Sequence, residues 1–187
     1  MSAAAETAAA VPGALPAGIP QPVLVRGTGL LGASIGIGLS AAGADVLLHD
    51  LSPAALAVAA DIGAGRPMRI DDDGADAGQA PALVVVAAPP DVTADVVVDS
   101  LRRWPEALVL DIASVKESIA AGVRAAVVDG RLGPSDPDRH LGTHPMAGSE
   151  RSGPVAARGT LFTQAPWVLC PTDTTLPAAV QAGRALA

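Results

Sequence analysis

An imidazole, hydroxyls and a carboxylate share one short stretch of this chain, Gly142-Thr143-His144-Pro145-Met146-Ala147-Gly148-Ser149-Glu150. A histidine titrates near neutral pH, so it can accept a proton and return it during a reaction. An arbitrary histidine at a strand end is more often structural, and the run alone does not decide. A second motif lies upstream. Gly27-Thr28-Gly29-Leu30-Leu31-Gly32 fits the G-x-G-x-x-G pattern, directly after the apolar run Val23-Leu24-Val25 and Arg26 and opening a helix-like segment. There the first glycine permits a tight turn, the second lets backbone approach a pyrophosphate, and the third allows close helix–strand packing. The helix N-terminus adds N–H donors and a positive dipole end. A redox cofactor needs a nearby group that handles a proton, so the two motifs together point to an oxidoreductase.

Asp50 stands at the end of the next apolar run, where a carboxylate can bind both hydroxyls of a ribose. Its charge would repel a 2′-phosphate, which favours NAD over NADP. Ala88 and Pro89 end a further apolar run on the sheet edge where α/β folds bind ligands, and they are assigned to the cofactor cleft. Proline there equally serves as a strand stop. Asp111-Ile112-Ala113-Ser114-Val115-Lys116 closes another strand. Ser114 has two readings: the N-cap of a helix with Glu117 completing a capping box, or a hydroxyl facing the nicotinamide or the substrate. His49 and His140 have no sequence neighbours that suggest chemistry. Cys170 lies in an apolar strand-like run and is expected to be a small core residue.

The elements that must position these groups alternate. Strands are expected over 23–25, 44–49, 83–87, 107–112, 140–143 and 167–170, and helices over 30–42, 52–61, 92–103, 114–128 and 175–187. Residues 63–80 form an acidic loop around a short strand, with Asp71, Asp72, Asp73 and Asp76 on a solvated surface, and 129–139 form a polar loop. The alternation predicts an α/β fold: a Rossmann-like, doubly wound, mostly parallel sheet with flanking helices. Half of the 187 residues are apolar but only 2% are aromatic, so the core is built from Ala, Val, Leu and Ile. That composition suits strands buried on both faces.

The net charge of −7 argues against nucleic acid as a partner. One cysteine excludes an intramolecular disulfide and a cysteine-based zinc site, and no metal is assigned. No apolar stretch reads as a membrane span, and the Ala/Pro-rich residues 1–20 read as a disordered tail rather than a signal peptide. A cytoplasmic location is expected.

The segments 27–34, 111–116 and 142–150 occur in the order and approximate spacing seen in prephenate dehydrogenases, a group that includes arogenate dehydrogenases. Ser152-Gly153, Leu161-Phe162 and Trp167 resemble the family's continuation, and the resemblance covers roughly residues 22 to 176. It implies NAD-dependent oxidation of prephenate with loss of CO2, giving 4-hydroxyphenylpyruvate on the route to tyrosine; arogenate is the alternative substrate. Mapped onto matching positions, His144 accepts a hydrogen bond from the substrate hydroxyl, and Ser114 helps align that hydroxyl with the nicotinamide. Glu150 lies near the substrate pocket, while Gly27, Thr28, Gly29, Leu30, Leu31, Gly32, Asp50, Ala88 and Pro89 bind the cofactor. Family members continue into a helical domain that forms a homodimer and completes the substrate pocket. Residues 21–187 are therefore expected to be the dinucleotide-binding domain, truncated before that helical domain. Another NAD(P)-dependent reductase, or a non-catalytic dinucleotide-binding module, is the rival reading.

Overall fold

The structure, a computed structural model, describes residues 15–70, 80–148 and 152–187. The acidic residues 71–73 and 76 fall outside the described part, as does Glu150. In chain order the elements are β1 Val23–Arg26, α1 Leu30–Ala41, β2 Val46–His49, α2 Pro53–Asp61, β3 Arg66–Pro67 and β4 Leu83–Val86. There follow α3 Pro90–Arg103, β5 Leu108–Asp111, α4 Glu117–Val128, β6 His140–Pro145, β7 Trp167–Cys170 and α5 Pro177–Leu186. The strands form one sheet in the order β3-β2-β1-β4-β5-β6-β7. All neighbours are parallel except β6 and β7, which pair antiparallel. The strand order reverses direction between β1 and β4, the crevice where a doubly wound sheet binds its ligand.

β1, β4 and β5 are buried along their whole length, as continuous Val/Leu runs require when helices cover both faces. On one face Val23, Val25, Val85 and Leu110 pack with Ala33 and Ile35 of α1 and with Ala179 and Ala182 of α5. On the other, Leu24, Val84, Val86 and Val109 pack with Val97 and Leu101 of α3 and with Ile119 and Val123 of α4. Ile19, inside the segment read as tail, is buried in the first of these cores, so the fold begins before residue 21.

Several boundaries differ from expectation, each for a local reason. α3 starts at Pro90 rather than Val92, because a proline at the first helical position has its φ already set and lacks a donor that would be unpaired anyway. α5 starts at Pro177, and Thr175 does not cap it: its hydroxyl accepts instead from Thr172 N at 2.9 Å in the preceding turn. β6 runs on through His144 and Pro145, because β7 folds back antiparallel beside it.

Candidate nucleotide cleft and the His144 edge

The glycine turn leaves β1 with Gly27 N donating to His49 O at 2.8 Å. Gly27 has φ +102°, and a Cβ there would stand 2.5 Å from Ala87 O. At Gly32 a Cβ would lie 1.9 Å from Gly27 O, so the turn and the first turn of α1 close on each other only with glycine. Gly29 is different: an added Cβ would meet nothing within 4 Å, and as N-cap of α1 it supplies no side-chain hydrogen bond. The first turn of α1 therefore takes no side-chain cap from Gly29, and the described residues leave the space at Gly29 open, as a pyrophosphate requires. Leu30 and Leu31, half-buried, form the first helical residues.

A cleft of about 460 Å³ lies beside this turn, lined among others by Arg26, Gly27, His49, Asp50, Ala88 and Pro89. Pro89 lines this cleft and also serves as N-cap of α3, while β4 ends earlier, at Val86. Asp50 is held more tightly than a free ribose-binding carboxylate. Its Oδ2 accepts from Thr28 N at 2.6 Å and from Thr28 Oγ1 at 2.8 Å, and its Oδ1 accepts from Ser52 N at 2.8 Å. Two lone pairs of Oδ2 and one of Oδ1 are thus engaged, leaving a place for one ribose hydroxyl at Oδ1 rather than for both. Beside it, burial and then the Arg26 guanidinium hold the His49 imidazole below its usual range.

Arg26 was not singled out by the motifs, yet it organises the cleft floor. Its Nη1 donates to Asp99 Oδ2 at 2.7 Å and to Ser100 Oγ at 2.8 Å, and its guanidinium lies over the Trp104 ring, 5.8 Å from the centroid. A charged residue ending an otherwise apolar strand was the available signal. A buried charge of that kind needs partners, here supplied by α3.

At the other side of the same sheet edge, His144 sits in β6 opposite Val168, not in a loop beyond the strand. It is half-buried, and its Nδ1 is buried with no hydrogen-bond partner among the described residues. A buried ring nitrogen without a partner is uncommon in a folded protein. Ser114 follows β5, the strand next to β6, so both groups stand at the carboxyl edge. It is exposed and caps nothing: α4 begins at Glu117, with Lys116 as an N-cap residue whose side chain makes no capping bond. The capping-box expectation fails for a specific reason. Asp111 Oδ1 accepts from Ala113 N at 3.1 Å and from Lys116 Nζ, and this holds residues 112–116 as an arch instead of a helical turn. Ser114 rides on that arch.

Asp111 is fully buried, and its second oxygen contacts His140 Nε2 at 2.9 Å. His140 therefore has a chemical neighbourhood after all, contrary to the expectation from sequence. Val109 pairs with His140 and Asp111 with Gly142, so His140, Gly142 and His144 share the face of Asp111. The Lys116 stem crosses that face: a Cβ on Gly142 would come 3.0 Å from Lys116 Cδ. Asp111, Lys116, His140 and Gly142, though not His144, line a cavity of about 260 Å³ that also reaches Cys170. Cys170 is exposed, not core, because β7 is the outermost strand and Val168 and Cys170 alternate onto its open side. The residues after His144 return to the nucleotide helix, where Arg158 N donates to the buried Ser34 Oγ of α1 at 3.0 Å.

Comparison with known proteins places this geometry. Residues 38–186 match the family described as prephenate dehydrogenase, nucleotide-binding domain. The probable prephenate dehydrogenase NovF of Streptomyces niveus is 37% identical over 161 residues, covering 84% of this chain and 40% of NovF. Arogenate dehydrogenase of Synechocystis superposes with a TM-score of 0.71 at 24% identity, over 88% of this chain and 55% of that one. Prephenate dehydrogenase of A. aeolicus, in complex with hydroxyphenyl propionate and NAD+, superposes at 0.70 with 23% identity, over 88% and 56%. The chain spans two-fifths of NovF's length and little over half of either structure's.

Proposed function

The chain belongs to the prephenate dehydrogenase family, and we propose that it is the NAD-binding part of an enzyme that oxidatively decarboxylates prephenate to 4-hydroxyphenylpyruvate. The observation that carries the reading is the pairing of a glycine turn that leaves the space at Gly29 open with an edge histidine whose Nδ1 is buried without a partner among the described residues. When bound, NAD supplies the hydride acceptor. Gly29 leaves room for its pyrophosphate, Gly27 and Gly32 let the turn and the first turn of α1 close on each other, Asp50 takes a ribose hydroxyl, and Ala88 and Pro89 wall the cleft. His144 holds the proton of the substrate's ring hydroxyl while the carbon beneath it gives up hydride. The carbon–carboxylate bond on the opposite side of the ring then breaks, its electron pair completes the aromatic ring, and the proton returns to the phenol oxygen. Ser114 keeps the hydroxyl in line. We assign the protein to the cytoplasm and to a homodimer; among the described residues no helix is long and apolar enough to cross a membrane.

Arogenate is the second reading, supported by the similarity to the Synechocystis arogenate dehydrogenase. Mixing the chain with NAD+ and either prephenate or arogenate, and following NADH absorbance, tests both. NADH formed faster with prephenate is the expected result. Faster formation with arogenate reverses the substrate, and NAD+ binding without NADH from either substrate favours a binding module or an incomplete enzyme.

A further inference from the structure

We infer that Thr28, the middle residue of the glycine turn, is a specificity-determining residue that fixes the Asp50 carboxylate in a pose admitting a ribose hydroxyl and rejecting a 2′-phosphate. The inference rests on the cofactor reading above and concerns a residue whose side chain that reading leaves without a role. Thr28 is completely buried although the glycines on either side are partly open, so its side chain is not itself a surface for the cofactor. Its amide and its hydroxyl instead both donate to the same oxygen, Asp50 Oδ2. Ser52 N donates to the other oxygen from the start of α2. The carboxylate is therefore gripped along both edges, from the glycine turn and from the next helix, and rotation about its Cβ–Cγ bond would break bonds on both.

This rigidity has a chemical consequence. A 2′-phosphate brings close to two further negative charges and no donor proton to give Asp50. A mobile carboxylate could swing away and lower the repulsion. Gripped by Thr28 and Ser52, Asp50 keeps its charge where that phosphate would sit, while the remaining lone pair of Oδ1 still accepts from a ribose hydroxyl. The rejection is thus built into the turn as well as into the acidic residue, a form of specificity that works against the wrong ligand. The hydroxyl is the adjustable part, because the amide belongs to the backbone and stays in any variant.

Thr28→Val removes the hydroxyl at nearly constant shape, and Thr28→Ser keeps it. Calorimetric titration of NAD+ and NADP+ into wild type, both variants, Asp50→Asn and the Thr28→Val/Asp50→Asn double variant reads the effect, with melting curves confirming that each is folded. Thr28→Val is expected to lower the preference for NAD+ over NADP+ about tenfold, the equivalent of one charge-assisted hydrogen bond. Thr28→Ser is expected to retain the wild-type preference, and Thr28→Val to add nothing in the Asp50→Asn background. A wild-type preference in folded Thr28→Val, an equal loss in Thr28→Ser, or an undiminished valine effect without the Asp50 carboxylate each overturns the inference alone. Wild type with no affinity for NAD+ overturns the cofactor reading and this inference with it.

Discussion

The two ends of the sheet's carboxyl edge are built from different materials. The end at β1 and β2 is a backbone device: glycines whose missing Cβ atoms permit contact, an open helix terminus, and one carboxylate gripped mainly by amides. The end at β5, β6 and β7 is a side-chain device: Asp111 and Lys116, joined across the arch that carries Ser114, meet His140 from the neighbouring strand that also carries His144. A backbone device tolerates almost no change in residue type at Gly27 and Gly32. A side-chain device depends on pairing, so its failure is a matter of charge left alone in the interior.

Gly32→Ala probes the first end most severely. A methyl 1.9 Å from Gly27 O cannot be accommodated without reopening the turn, and a destabilisation of about 3 kcal/mol or more is expected in urea unfolding, with loss of nucleotide binding. Wild-type stability in that variant would erase the distinction between the two ends. Lys116→Met comes next. It leaves the buried Asp111 with His140 and one amide, and a cost of about 2–3 kcal/mol is expected, part of it recovered in the Asp111→Asn/Lys116→Met double variant. No recovery in the double variant would mean that Lys116 acts through packing over Gly142 rather than through charge.

A smaller effect separates the ends by pH. His49 has its imidazole pKa lowered, chiefly by burial, so as pH falls through the ordinary value of 6.5 the unfolded chain takes up a proton that the folded chain resists. Stability therefore drops as pH falls from 6.5 toward the lowered folded value and levels off below it. Comparing wild type with His49→Gln across that window isolates the contribution, and identical pH slopes would contradict it. The smallest effect belongs to Cys170→Ser. An exposed position on the outermost strand predicts a change within about 0.5 kcal/mol, whereas a clear loss would show the thiol to be packed.

The same contrast explains what could be read from the chain. The doubly wound sheet, the glycine turn and the cleft residues Asp50, Ala88 and Pro89 follow from short-range rules, because each spacing imposes its own geometry on the backbone. His140 escaped notice because its partner Asp111 is brought to it only when β5 and β6 pair. Ser114 looked like a helix cap because the sequence contains a capping box, and the competing grip of Asp111 on Ala113 and Lys116 is invisible until Asp111 is known to be buried. Cys170 was misplaced because an apolar run does not reveal that its strand is the last in the sheet. The strand expected to end at Thr143 continues to Pro145, because pairing with β7 carries β6 on.

The most direct test of the account is His144→Asn, with NAD+ affinity measured by calorimetry and NADH formation from prephenate followed in the same preparation. NAD+ affinity equal to that of wild type is expected, because the cleft is built from the other end of the sheet edge. Turnover is expected to fall about a hundredfold or more, the usual contribution of a positioned proton acceptor. An unchanged turnover rate in that variant would contradict the account.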